Sequence, residues 1–111
     1  MISRLLTPVI RQQLSTIGNL PEDNNELKLN YKFVCPGKQE WFVGWGEPQE
    51  CNCGIEYDFC FFGLIRVKGK NDVIGYFTLS ELEIAKGSNG EQVERDMTFT
   101  PTMLKDIIIK G

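Results

Sequence analysis

Closely spaced runs of alternating apolar residues, separated by turn signals, predict a sheet. Helix-start signals stand only near the beginning, the middle and the end of the chain. Together these observations predict an α+β fold. The expected order is α-β-β-β-β-α-β-α. It makes one domain over residues 1–111, with a mainly antiparallel sheet of about five strands and N-terminal, short internal and C-terminal helices. The chain has 111 residues, 41% hydrophobic and 24% charged, enough to bury a core of its own.

Each element has a local reason. Thr7-Pro8 starts the first helix, because Thr caps free N–H groups and Pro suits the first helical position. Val9, Ile10, Leu14 and Ile17 give it one apolar face, and Gly18 stops it. Residues 19–25 form a polar connector. Residues 27–35 alternate, with Leu27, Leu29, Tyr31, Phe33 and Cys35 on one face of a half-buried strand. Pro36-Gly37 turns the chain into a second strand, 40–45, with Trp41, Val43 and Trp45 on one face. Residues 46–57 are expected to be an irregular acidic loop.

The run 58–67 is apolar on both faces, so it is expected inside the sheet and covered on both sides. Residues 73–78 pair back on it as a hairpin. Ser80 and Glu83 suggest a capping box for a short helix, 80–86, ended by Gly87. Residues 92–99 alternate again, with Val93, Met97 and Phe99 inward. Thr100-Pro101 repeats the Thr7-Pro8 device and is expected to open a last helix running to the C-terminus.

Charge and composition exclude several functions. The formal net charge is -3, which does not suit a general nucleic-acid grip. The N-terminal run is broken by Pro8 and Arg11 and does not read as a secretory signal. No segment has the apolar length of a membrane span. A cytoplasmic location, with reduced thiols, is the expectation. There is no histidine, which removes the commonest general base, the commonest metal ligand and every Ser-His or Cys-His nucleophile.

Three of the four cysteines lie in QECNCGIEYDFC, residues 49–60. Structural zinc wants two close ligand pairs, and only Cys51 and Cys53 form one. Cys35 and Cys60 fall in strand patterns, where Cys fills space as a small apolar residue. Reduced thiols, two buried and two in a loop, are the reading. A zinc or redox module and a disulfide are the alternatives, and no cofactor or metal is expected.

Two polar groups could carry chemistry. Glu94 and Asp96 lie two apart on the 92–99 strand and could hold Mg²⁺ for nucleic-acid processing; a solvated strand face is the plainer role. Arg66, Lys68 and Lys70 end a strand and enter its turn, where they could contact phosphates. Residues 40–65 contain no Lys or Arg but carry Glu40, Glu47, Glu50, Glu56 and Asp58. Such a stretch would attract a basic partner, and Trp45 and Tyr57 are residue types common at binding hot spots.

FFGLI (61–65), GYFTLSELE (75–83), Gly90 and VERD (93–96) resemble the bacterial domain-of-unknown-function family 2958. LTPVIRQQL (6–14) and Lys32-Phe33 are similar to its opening. The resemblance implies a small protein of plasmids, phages and integrative elements, with no agreed activity. Glu94, Arg95 and Asp96 are the only polar cluster among the matching positions, and an ion pair is their plainest role. Between Trp45 and Tyr57 the chain departs from the family pattern, as an insertion would.

The function expected is that of a non-enzymatic protein-binding accessory of a mobile element, an inhibitor of a host or defence protein of the anti-CRISPR or anti-restriction type. Its contact face would be Trp45, Glu47, Glu50, Glu56, Tyr57 and Asp58. Nucleic-acid binding or cleavage is the second reading. The oligomeric state does not follow from the sequence.

Overall fold

Thr7 does cap the first helix. Its hydroxyl accepts the Ile10 N–H at 3.3 Å, and Pro8 begins α1, Pro8–Ser15. A computed structural model of the chain describes residues 4–108. After α1 and a single 3₁₀ turn at Asn24–Glu26 come β1 (Lys28–Leu29), β2 (Tyr31–Cys35), β3 (Gln39–Glu50), β4 (Glu56–Val67) and β5 (Val73–Thr78). Then follow α2 (Leu79–Ile84), β6 (Glu94–Arg95), β7 (Thr102–Met103) and α3 (Leu104–Ile107). The last three positions of the predicted C-terminal helix, 109–111, lie outside the described residues.

The expected α+β architecture is present. Five antiparallel strands lie in the order β5-β4-β3-β2-β6, and β1 pairs with β7 in a separate two-stranded ladder. The doubly apolar run is β4, inside the sheet. Phe59 and Phe61 face one core, with Phe33, Trp41, Val43 and Phe77, under α1 and α2. Leu64 faces a second core with Phe42, Leu27, Leu29 and Leu104. Fully burying one such side chain contributes about 1.5–3 kcal/mol, so two cores on one small sheet hold it from both sides. No helix among the described residues is long and apolar enough to cross a membrane.

Several local expectations are overturned, each by a tertiary contact. The alternating run 27–35 is not one strand. At Asn30 the chain leaves the β1–β7 ladder and enters the main sheet, so Leu27 and Leu29 fill the second core while Phe33 and Cys35 fill the first. Trp45 is not in the row of Trp41 and Val43. A bulge after Val43 brings it into register with Phe62. Val9 is exposed on α1, and Leu5 and Leu6 take its place in the core.

The later elements shift for similar reasons. Thr78, not Ser80, caps α2 by accepting the Glu81 N–H, because the Ser80 hydroxyl donates to Asp58 instead. The helix ends at Ile84 with Ala85 as its cap, before Gly87. In the 92–99 run only Glu94–Arg95 is strand; Val93 is buried, Phe99 packs half-buried on Phe42, and Met97 is 73% exposed. Thr100-Pro101 starts no helix. The chain goes first into β7, and α3 begins at Leu104 with no side-chain cap.

Candidate functional site

β3 and β4 are each twelve residues long. β2 pairs only with positions 39–43 of β3, and β5 only with positions 60–65 of β4. The far half of the hairpin therefore stands out as a two-stranded arm, with Glu47 opposite Cys60, Pro48 opposite Phe59 and Gln49 opposite Asp58. The expected irregular loop over 46–57 is thus mostly paired strand, and its turn is confined to residues 51–55. Tyr57 and Phe59 favour strand on β4, but Gly46, Glu47 and Pro48 do not on β3, where pairing across the hairpin overrides local preference.

Close packing at glycine lets the arm leave the sheet. A Cβ on Gly63 would lie 1.8 Å from the Phe42 carbonyl oxygen, so only glycine allows β4 to pass the bulge. A Cβ on Gly46 would strike Phe59 at 2.7 Å and Leu14 at 3.1 Å, so glycine there lets α1 approach β3. The Trp45 indole N–H donates to the Gly18 carbonyl at 2.8 Å and ties the end of α1 to the base of the arm.

Two polar contacts fix the arm from either side. From α1, the Arg11 guanidinium donates twice to Glu56, at 2.9 and 2.5 Å, and lies 5.2 Å over the Phe59 ring. These hydrogen bonds hold the Glu56 carboxyl below the usual glutamate range and raise the Arg11 pKa in turn. From α2, the Ser80 amide and hydroxyl donate to Asp58 at 3.2 and 2.7 Å.

Between α1 and the arm lies a cleft of about 810 Å³. Leu6, Leu14, Trp45, Pro48 and Phe59 give it apolar walls, and two charged residues, Glu47 and Arg11, line it too. That is the size of an ordinary binding cleft.

The six residues expected to form one contact face divide accordingly. Glu56 and Asp58 hold the fold of the arm. Trp45 is half-buried at its base and packs edge-on toward Tyr76, 6.5 Å away. Glu47, Glu50 and Tyr57 are exposed, and neither glutamate has an ion pair among the described residues. The sequence showed no charge compensation inside 40–65; it comes from outside, through Arg11 to Glu56 and Lys32 to Glu40. Arg11 escaped the sequence reading because it lies 45 positions from its partner.

Cys51 and Cys53 are joined by a disulfide at the tip of the arm, where reduced thiols were expected. The tight turn brings the two side chains together: the Cys51 N–H donates to the Ile55 carbonyl and the Gly54 N–H to the Cys51 carbonyl, both at 2.9 Å. Cys35 and Cys60 are free and buried. Burial, aided by Glu47, Asp58 and Glu81, pushes the Cys60 thiol up and away from thiolate chemistry. Among the described residues no three His, Cys, Asp or Glu side chains are grouped to hold a metal ion.

Glu94, Arg95 and Asp96 lie at the other edge of the sheet, where Arg95 and Asp96, but not Glu94, line a pocket of about 460 Å³. Glu94 is exposed. Arg95 lies 6.0 Å over the Tyr31 ring and against the Met97 sulfur. Asp96 does not face Glu94: it accepts the Thr98 hydroxyl and amide, which lower its pKa, and pairs with Lys32 at 3.7 Å.

Of the proposed phosphate contacts, Arg66 already holds Asp72 at 2.8 and 3.0 Å. It also donates to the Ile107 carbonyl at 3.0 Å, clamping the C-terminal segment. Lys68 and Lys70 are exposed.

A family model described as a protein of unknown function, DUF2958, matches residues 5–106. No curated protein and no solved structure matches the chain.

Proposed function

Since the chain belongs to the DUF2958 family, whose description assigns no chemistry, we propose a function from the site itself: a non-enzymatic module that docks a basic segment of a partner protein across the β3–β4 arm and the cleft beside α1. One observation carries this reading. Arg11–Glu56 and Asp58–Ser80 pin the arm in place, leaving Glu47 exposed on the cleft wall and Glu50 exposed farther along the arm. A fixed arm loses little conformational entropy on binding. An apolar cleft with Glu47 on its wall, and with its one lining cation, Arg11, already paired to Glu56, suits a segment that alternates basic and apolar side chains. A host or defence protein with a basic surface is the partner we put forward, and occupation of that surface would be the mode of inhibition.

The test is a tagged pull-down from bacterial lysate, with and without nuclease, run in parallel with the variant Glu47→Lys/Glu50→Lys. The expected result is a stoichiometric partner that survives nuclease and is lost with the variant. A partner retained by the variant, or lost with nuclease, overturns the reading.

A further inference from the structure

β5, Val73–Thr78, is the outer strand of the five-stranded sheet, and among the described residues no strand pairs with its free side. Proteins usually blunt such an edge with charge, proline or a bulge, because its unpaired N–H and C=O groups invite another strand. VIGYFT has no charge and no proline, and its register with β4 is unbroken from Val73 to Thr78. Val73, Ile74 and Tyr76 are exposed at 55%, 36% and 60%. The Tyr76 ring continues inward onto Phe62, 4.8 Å away, so the apolar edge runs on into the sheet face.

The two ends of β5 carry opposite charge. The turn before it presents Lys68 and Lys70, both exposed, and the only carboxylate there, Asp72, is paired with Arg66. The other end runs into α2, where Glu81 and Glu83 are exposed. If β5 pairs antiparallel with a second copy of itself, the basic turn of each chain meets the acidic end of the other. Two-fold symmetry makes that match twice. A parallel pairing would instead set lysines beside lysines.

We propose that β5 is the seam of a symmetric dimer of this chain, centred near Gly75 and Tyr76, which joins the two sheets into one. The partner is a second copy because the strand and its flanking charges complement themselves. This strand edge is a different surface from the arm and cleft proposed for the partner protein, although Tyr76 at its centre packs against Trp45 at the base of the arm.

The experiment is sedimentation equilibrium of the full chain, from micromolar to millimolar concentration, at low and high salt. A monomer–dimer equilibrium that weakens with salt is expected, since the charge match is exposed and screened. Ile74→Lys should shift it to monomer. Lys68→Glu/Lys70→Glu should raise the dissociation constant about tenfold or more, and adding Glu81→Lys/Glu83→Lys in the same chain should restore it. The charge variants sit at exposed positions, so they remain informative if Ile74→Lys does not fold. A chain that stays monomeric at millimolar concentration overturns the proposal and leaves the edge to a foreign strand. So does a dimer indifferent to the charge reversals.

Discussion

Arg11 and Glu56, 45 positions apart, form a two-pronged ion pair that ties α1 to the far strand of the arm. Both side chains are partly exposed, at 32% and 18%, so solvent screens the pair. Arg11→Ala should therefore lower stability at neutral pH by only about 1 kcal/mol, read from urea unfolding. Glu56→Gln should cost a similar amount, and the double variant should cost less than the sum of the two.

The same pair has a pH signature. The folded-state pKa of Glu56 is depressed, mainly by its hydrogen bonds from Arg11. Its contribution is thus present above the unfolded glutamate value of about 4.3, and is lost as pH falls through the lower folded value. Stability measured across that acid window should fall less steeply for Arg11→Ala than for the parent chain. Equal slopes would show that the ion pair does not form in solution.

Gly63 and Gly75 face each other across β4 and β5 but have opposite surroundings. A Cβ on Gly63 would overlap the Phe42 carbonyl, whereas nothing lies within 4 Å of one on Gly75. Gly63→Ala should destabilise by about 3 kcal/mol, the upper range for overpacking, while Gly75→Ala should change stability by less than about 0.5 kcal/mol. Denaturant midpoints of the two variants give the comparison directly.

Thr7-Pro8 and Thr100-Pro101 are identical dipeptides with different roles. Thr7 accepts the Ile10 amide, while the chain after Pro101 enters β7 before any helix begins. Thr7→Ala should cost about 1 kcal/mol, as the loss of an N-cap does, and Thr100→Ala close to nothing. Thermal melts of the two would separate them by several degrees.

The Cys51–Cys53 disulfide closes a very short loop, and two backbone hydrogen bonds hold the turn independently. Cys51→Ser/Cys53→Ser should thus lower stability by no more than about 2 kcal/mol. A larger loss in chemical unfolding would mean that the bond holds more than its own turn.

Legibility in the sequence followed the range of the interaction. The alternation of Tyr31, Phe33 and Cys35, the double apolar run of β4 and the cap at Thr7 could be read because each depends on neighbours a few positions away. The break at Asn30 could not, because Leu29 and Phe33 have the same parity and differ only in which core receives them. The acidic stretch was visible as a candidate site, but not its division into holding and exposed residues. Arg11 and Ser80, which make that division, come from helices far away in sequence.

The sequence by itself determined the fold class, the main strands and the start of the first helix. Periodicity and capping are local properties that a chain carries whatever it packs against. Only the tertiary structure decided that β3 and β4 extend into an arm, that Trp45 leaves its row, and that β5 is the outer strand of the sheet among the described residues. Those outcomes turn on which distant groups meet. A Phe42 carbonyl beside Gly63, a Gly18 carbonyl beside Trp45 and a guanidinium beside Glu56 are contacts that no local pattern encodes.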